Sequence, residues 1–454
     1  MKKYNVIIVG GGIGGLMAAH RLTQNDKDIS VAVFEQGRSL ETRKCPIVEG
    51  KVEKCIKCPS CAIMSGIAGA GAFSDGKFNI TTEYGGWLQE YIGHKPALDY
   101  QYQVYEILKP FDDKHKVYYP DNQLKAEAIK YDLHMLQGEV VHFGTDGNLR
   151  IMTKLYNLLN EKVDFYTSTS VTDIDIENKT ISADNGEFQY DSIILAVGRV
   201  GSSWLENFCR KNDIGFTNSQ IDIGVRVELP RCIWEDISKR IYEPKIIYRT
   251  KQYGDRTRMF CFNSGGSVVM ENSNGILTVN GHANSDESLK TENSNFAILS
   301  TQNFTEPFNQ PIEYAKQIAG LANMISGGSV IVQKFGDLVE GRRTNAHRLA
   351  QSTTIPTLNA TPGDLSLCIP KRQLDNIIET IYALDKIAPG TANRDTLLYG
   401  AECKYYSARP KFINNDFEIA NSIYCIGDGA SITRSLSQAG ASGLYVADKI
   451  MEKE

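Results

Sequence analysis

Four of the ten cysteines fall in one short stretch, KCPIVEGKVEKCIKCPSC, at positions 44–61. Cys55, Cys58 and Cys61 are spaced C-x2-C-x2-C, and Cys45 stands upstream of them. Three thiolates at that spacing can wrap one face of an iron–sulfur cluster, with the remote cysteine as fourth ligand. Four thiolates also suit a tetrahedral zinc. A C-x2-C pair suits thiol–disulfide exchange as well, and four reduced thiols need hold nothing. Spacing selects ligands but not the metal, so the expectation is an iron–sulfur cluster on Cys45, Cys55, Cys58 and Cys61, with zinc as the alternative. The seven histidines show no H-x-x-x-H or H-E-x-x-H spacing, which argues against a histidine-based catalytic zinc.

A second set of residues could hold phosphate. Gly10, Gly12 and Gly15 make G-x-G-x-x-G. The first permits a tight turn, the second lets the backbone approach a pyrophosphate, and the third lets a helix lie close to a strand. The elements that must position them stand in the required order. Residues 4–9 read as a buried parallel strand, the glycines open a helix, and a second strand over 29–34 ends at Glu35, where a carboxylate can accept from a ribose. Phosphate charge would sit at the helix N-terminus. A second such fingerprint is missing, so an electron donor either binds elsewhere or is not a nicotinamide.

Near the other end, SIYCIGD at 422–428 reads as a strand ending in Gly427-Asp428, with the following stretch reading as a helix. A carboxylate there could hydrogen-bond a ribityl chain, and the helix N-terminus could face an isoalloxazine ring. This arrangement resembles the FAD-binding domain of glutathione-reductase-type flavoproteins. Residues 163–202, with Val171 near their start, look like that fold's β-meander and returning strand, and Ala196-Val197-Gly198 would close against the cofactor. GAGAFSDGK at 69–77 is rich in glycine and alanine, so its backbone can lie against a flat ring. Ser74, Asp75 and Lys77 would supply polar groups there. A lysine near flavin N1 and O2 would stabilise negative charge on the reduced ring. Arg199, Arg434 and His282 are weaker candidates.

The chain is similar to the uncharacterised bacterial FAD-dependent dehydrogenases. The matching pieces include GAGAFSDGK (69–77), HFGTDGNL (142–149), ILAVGRVGSSW (194–204), IGVRVELP (223–230), FCFNSGGSVV (260–269), TVNGHANSD (278–286) and LYGAE (398–402), followed by the GDGASITRSLSQAGASG block. Where that family has Cys-Pro-Gly-Gly, this chain has Asn263-Ser264-Gly265-Gly266. The resemblance implies FAD and a fold, and does not name a substrate.

The predicted fold is α/β: a Rossmann-like FAD-binding domain, parallel sheet plus β-meander, with an inserted α+β substrate domain. The expected bounds are 1–204 and 396–454 for the FAD domain and 205–395 for the insertion, whose antiparallel-looking strands (IGVRVEL, KIIYRT, MFCFN, GSVVM, GILTV) would carry a substrate cover. A length of 454 residues suits two packed regions. The 49 basic and 54 acidic residues give a net charge of −5 without long single-sign runs, which excludes a nucleic-acid footprint. An RNA-modifying flavoenzyme is therefore disfavoured. No apolar stretch of about 18 residues occurs, so no membrane-spanning helix is expected. The N-terminal apolar run ends in glycines instead of a cleavage site, and the protein is expected in the cytoplasm. The predicted activity is FAD-dependent oxidation or reduction of a small molecule with an unidentified electron partner. A flavoprotein electron carrier or redox sensor is the alternative.

Overall fold

The computed structural model describes residues 1–454 apart from 25–27, 47–48, 53–57, 59, 113, 218–219, 274, 283–287, 289, 305–306, 309, 405–408 and 454. The chain divides into two compact units, Met1–Tyr118 with Gly138–Thr217 and Ser407–Glu454, and Tyr119–Gln137 with Asn218–Tyr406.

In the first unit, the strand Lys2–Val9 lies between Gly186–Leu195 and Val31–Glu35, parallel to both. A central parallel strand is covered on both faces, which is why Val6, Ile7 and Ile8 are all fully buried. Asp164–Thr167 and Ile423–Cys425 extend the parallel sheet on its two sides. Val171–Asp175, Thr180–Ala183 and Gly186–Leu195 run antiparallel in succession, which is the β-meander. A smaller sheet joins Lys77–Ile80, Glu139–His142 and Lys116–Tyr118. The helices Ile13–Thr23 and Leu436–Lys453 pack closely where Gly443 meets Gly14, since a Cβ on Gly443 would lie 2.1 Å from the Gly14 carbonyl oxygen.

The second unit holds an eight-stranded sheet, antiparallel except for one short edge pair. Its strand Ile221–Pro230 alternates sharply: Ile221, Ile223, Val225, Val227 and Leu229 enter the core, while Asp222, Arg226 and Glu228 are equally buried on the opposite face. Such charges need partners. Arg226 makes a two-pronged pair with Glu402 at 2.8 and 2.9 Å, and Glu228 accepts from Tyr399 at 2.6 Å. The segment 119–137 belongs to this unit, although its sequence position put it with the FAD domain. Leu124, Ala128, Leu133 and Met135 bury into the second core, and Leu133–Leu136 pairs with Lys245–Arg249. The units also part at 217/218 and 406/407, beyond the expected 204/205 and 395/396, because Phe216–Thr217 pairs with Arg409–Pro410 inside the first unit. Among the described residues no helix is long and apolar enough to cross a membrane.

One stability prediction arises from the helix Ile13–Thr23. Burial, helped by Arg21 and Lys162, pushes the His20 pKa from 6.5 down to about 4. The unfolded chain therefore takes up this proton first, so stability falls as pH drops from the unfolded value towards the folded one. The loss is about 2–3 kcal/mol, reduced by solvent around a partly exposed ring. His20→Gln is expected to flatten the dependence of Tm on pH between 7 and 4. An unchanged slope would assign that dependence to other groups.

Candidate cofactor cleft

A cleft of about 350 Å³ in the first unit, within the size range of small-molecule sites, is lined from the ends of four parallel strands. Gly10 follows Lys2–Val9, Glu35 ends Val31–Glu35, Ala196 follows Gly186–Leu195, and Gly427 follows Ile423–Cys425. Ligands bind at such carboxyl ends in open α/β sheets. The glycine turn is filled except on one side. Gly10 has φ +110° and a Cβ there would stand 2.2 Å from the Ala196 carbonyl oxygen; one on Gly15 would stand 2.1 Å from the Gly10 carbonyl oxygen. At Gly12 the nearest atom to such a Cβ is the Gly69 Cα at 4.0 Å, so the space beside Gly12 is open. Gly12 is also the N-cap of the helix Ile13–Thr23, with no side-chain cap and no acid in the first turn. Its first N–H groups are left for an anion.

Glu35 is buried and accepts three backbone N–H groups: Gly11 at 2.8 Å, Gly37 at 2.8 Å and Gly66 at 3.0 Å. Its carboxylate thus holds the glycine turn against the strap 65–77, which runs along the same cleft. The strap is tied further by Ala68 N–H to the Gly11 carbonyl at 2.7 Å. Beneath it, the buried Asn148 donates to the carbonyls of Gly71 (2.7 Å) and Ala72 (3.2 Å). Arg43 reaches across from the cysteine segment. Its guanidinium donates to the carbonyls of Ala62, Ile63, Ile67 and Gly69 at 2.6–2.9 Å and lies 4.8 Å from the Phe73 ring centroid. Burial pushes its pKa down to about 10, so it remains charged near neutral pH.

In the same cleft, Lys77 Nζ lies 3.2 Å from Asp75 Oδ2, and Ser74 Oγ donates to the Gly71 carbonyl at 2.8 Å. His142, opposite Lys77 in the small sheet, has its pKa lowered by burial, with Asp75 pulling the other way. Gly427 has φ +73°, and the Asp428 carboxylate accepts from Thr433 Oγ1 at 2.8 Å and lies 3.7 Å from Arg199. Burial pushes the Asp428 pKa up; Arg199, Thr433 and Arg434 oppose that. The long helix begins only at Leu436, later than the sequence suggested. Residues 432–434 are instead clasped to 85–87: Trp87 N–H donates to Ile432 (2.7 Å), and Arg434 N–H donates to Gly85 (2.8 Å). The Arg434 guanidinium lies 3.9 Å from the Trp87 ring centroid, and that of Arg409 lies 4.8 Å from it.

The cleft therefore gathers Gly10, Gly12, Glu35, Ser74, Asp75, Lys77, Gly198, Gly427 and Asp428, together with Arg199 and Arg434. Gly15 stands behind it, packed on Gly10. Val171 is buried in the meander and is not part of the lining, and His282 is exposed in the second unit.

A family model for pyridine nucleotide-disulphide oxidoreductases matches residues 4–203, and one for "FAD-dependent protein, C-terminal domain-like" matches residues 220–405. The chain is an FAD-dependent oxidoreductase. Solved structures similar to this oxidoreductase include glycine oxidase from Geobacillus kaustophilus, at 12% identity and TM-score 0.38, covering 100% of this chain and 96% of that one. L-proline dehydrogenase from P. horikoshii is 12% identical with TM-score 0.41, covering 100% and 94%. A flavoprotein/dehydrogenase from Cytophaga hutchinsonii is 12% identical with TM-score 0.40, covering 100% and 80%. No curated protein matches the oxidoreductase in sequence.

The metal centre expected at the cysteines finds no support among the described residues. Among them, no group of three or more His, Cys, Asp or Glu is placed to hold a metal ion. Cys45 and Cys58 are half-buried and Cys61 is exposed, all three outside disulfides, while Cys55 lies outside the described residues. Sequence reasoning also missed Arg43, Asn79, Trp87 and Asn148. Only HFGTDGNL, which contains Asn148, carried a signal, and that signal gave no role.

Proposed function

We propose that this cleft holds FAD with its pyrophosphate at Gly10–Ile13 and its ring beside 69–77 and Gly427-Asp428, and that the enzyme exchanges electrons with a small-molecule substrate. The observation that carries the reading is the gathering of these groups in one cleft: a side-chain-free glycine turn with an uncapped helix, a lysine–aspartate pair, and an aspartate after a strand. When bound, FAD supplies the redox chemistry of its isoalloxazine ring. The chain's own residues supply orientation and charge. The N–H groups at the start of Ile13–Thr23 hold phosphate oxygens. Glu35 keeps acceptor capacity for a ribose hydroxyl beyond its three N–H partners, since a carboxylate offers about four lone-pair sites. Asp428, oriented by Thr433, accepts a ribityl hydroxyl. Lys77, steadied by Asp75, holds positive charge at the ring edge and favours the electron-rich state. We place the enzyme in the cytoplasm, where its thiols stay reduced.

Lys77→Met tests the role assigned to the lysine. Reduction of bound flavin is expected to slow by about ten- to a hundredfold while FAD stays bound. An unchanged rate would remove Lys77 from the site.

The four-cysteine centre remains part of this reading, with an iron–sulfur cluster first and zinc second. Its link to the cleft is Arg43, which joins the carbonyls just after Cys61 to the strap. Protein purified without oxygen is expected to carry about four iron and four sulfide per chain, lost in Cys58→Ser. One zinc instead would make the loop a structural clasp, and neither metal would leave reduced thiols.

A further inference from the structure

Asn79 lines the cleft and is only 9% exposed, yet among the described residues its buried Oδ1 has no hydrogen-bond partner. Nearly all buried polar groups have partners, and an orphaned amide oxygen is costly. Its surroundings are well fixed. Asn79 stands two residues after Lys77 on the strand Lys77–Ile80, so the pleat turns both to one side while Phe78 and Ile80 enter the core. Its carbonyl accepts from Ser437 Oγ, which fastens the strand to the first turn of Leu436–Lys453. Arg434, Ser435 and Leu436 line the same cleft.

The missing element is a donor, and the described residues supply none. The oxidised isoalloxazine ring carries a single N–H, at N3 of its pyrimidine edge, flanked by two carbonyls. We propose that Asn79 Oδ1 accepts the flavin N3–H, so that Asn79 reads the pyrimidine edge and fixes which way the ring enters, while Lys77 serves the neighbouring N1 and O2. This rests on the FAD reading above. It adds a selection: a ring whose N3 carries no hydrogen is discriminated against at this residue.

The test titrates the full-length apoprotein with FAD and with FAD methylated at N3. The wild-type protein is expected to bind the methylated cofactor at least about tenfold more weakly. Asn79→Ala is expected to bind FAD about tenfold more weakly and to lose most of that discrimination, whereas Asn79→Asp, which keeps an acceptor, retains it. Should Asn79→Ala fail to fold, Asn79→Ser carries the same comparison. Equal binding of the two cofactors by the wild type, or discrimination unchanged in Asn79→Ala, would overturn the proposal and leave the amide oxygen to water. A wild-type protein that binds neither cofactor would overturn the FAD reading, and this inference with it.

Discussion

Gly12→Asp is expected to fold at least as well as the parent and to lose FAD. Gly12 has φ −71° and ψ 179°, extended backbone that any residue adopts, and a Cβ there meets nothing closer than the Gly69 Cα at 4.0 Å. As the N-cap of Ile13–Thr23, an aspartate would accept from the first-turn N–H groups and complement the helix dipole, adding a few tenths to about 1 kcal/mol. The same carboxylate would occupy the place assigned to pyrophosphate. One like-charge contact at about 4 Å costs roughly 4 kcal/mol at an effective dielectric constant of 20, near a thousandfold in affinity, before any steric term. Repulsion therefore outweighs capping only when the cofactor is present. Thermal melts of the apoprotein and FAD titration by fluorescence separate the two effects. A Gly12→Asp protein that binds FAD like the parent would remove the glycine turn from the binding site.

Arg43→Ala is expected to cost about 3–5 kcal/mol and to weaken FAD binding by more than tenfold. The buried guanidinium satisfies four carbonyls, at residues 62, 63, 67 and 69, and no other charged side chain is seen to contact these oxygens among the described residues. Alanine leaves all four without this donor and removes the group stacked on Phe73. Lysine would restore a charge but not the planar fork, so Arg43→Lys should recover only part of the loss. Because Gly66 and Ala68 carry the strap's bonds to Glu35 and Gly11, loosening 62–69 should reach the glycine turn. Chemical denaturation and FAD titration of the two variants check this. Full FAD affinity in Arg43→Ala would show that the strap's anchorage does not matter to the cleft.

The parts legible in the sequence share one property: their signals are local. The strand, glycine turn, helix, strand and Glu35 all fall between residues 2 and 35, and Gly427-Asp428 stands directly after its strand. The middle strands likewise announce themselves by β-branched or aromatic runs, and each of the five marked segments is a strand. What stayed hidden depends on residues distant in sequence. Asn79 meets Ser437 across 358 positions, and Arg434 is placed by a clasp to Gly85. Nothing near Asn79 announces that its amide oxygen will be buried without a partner. Glu35 does end the strand that the sequence marked, but its three backbone donors, one of them 31 residues away, were not legible. The late start of the last helix has the same origin. Ser431 adopts φ +57° and residues 432–434 pair with 85–87, so tertiary contacts override the local helical pattern. The short segment 119–137 left the first unit because its apolar residues fit the second core, a choice invisible without the partner strand Lys245–Arg249.

The central claim is that FAD occupies the cleft between the glycine turn and Lys77. The most direct measurement is the absorption spectrum of the purified protein, with the released cofactor identified and quantified beside the same analysis of Gly12→Asp. The account predicts flavin bands and about one FAD per wild-type chain, and no flavin in the folded variant. A wild-type protein that takes up no FAD even when it is supplied, or a folded variant that retains a full complement, would contradict it.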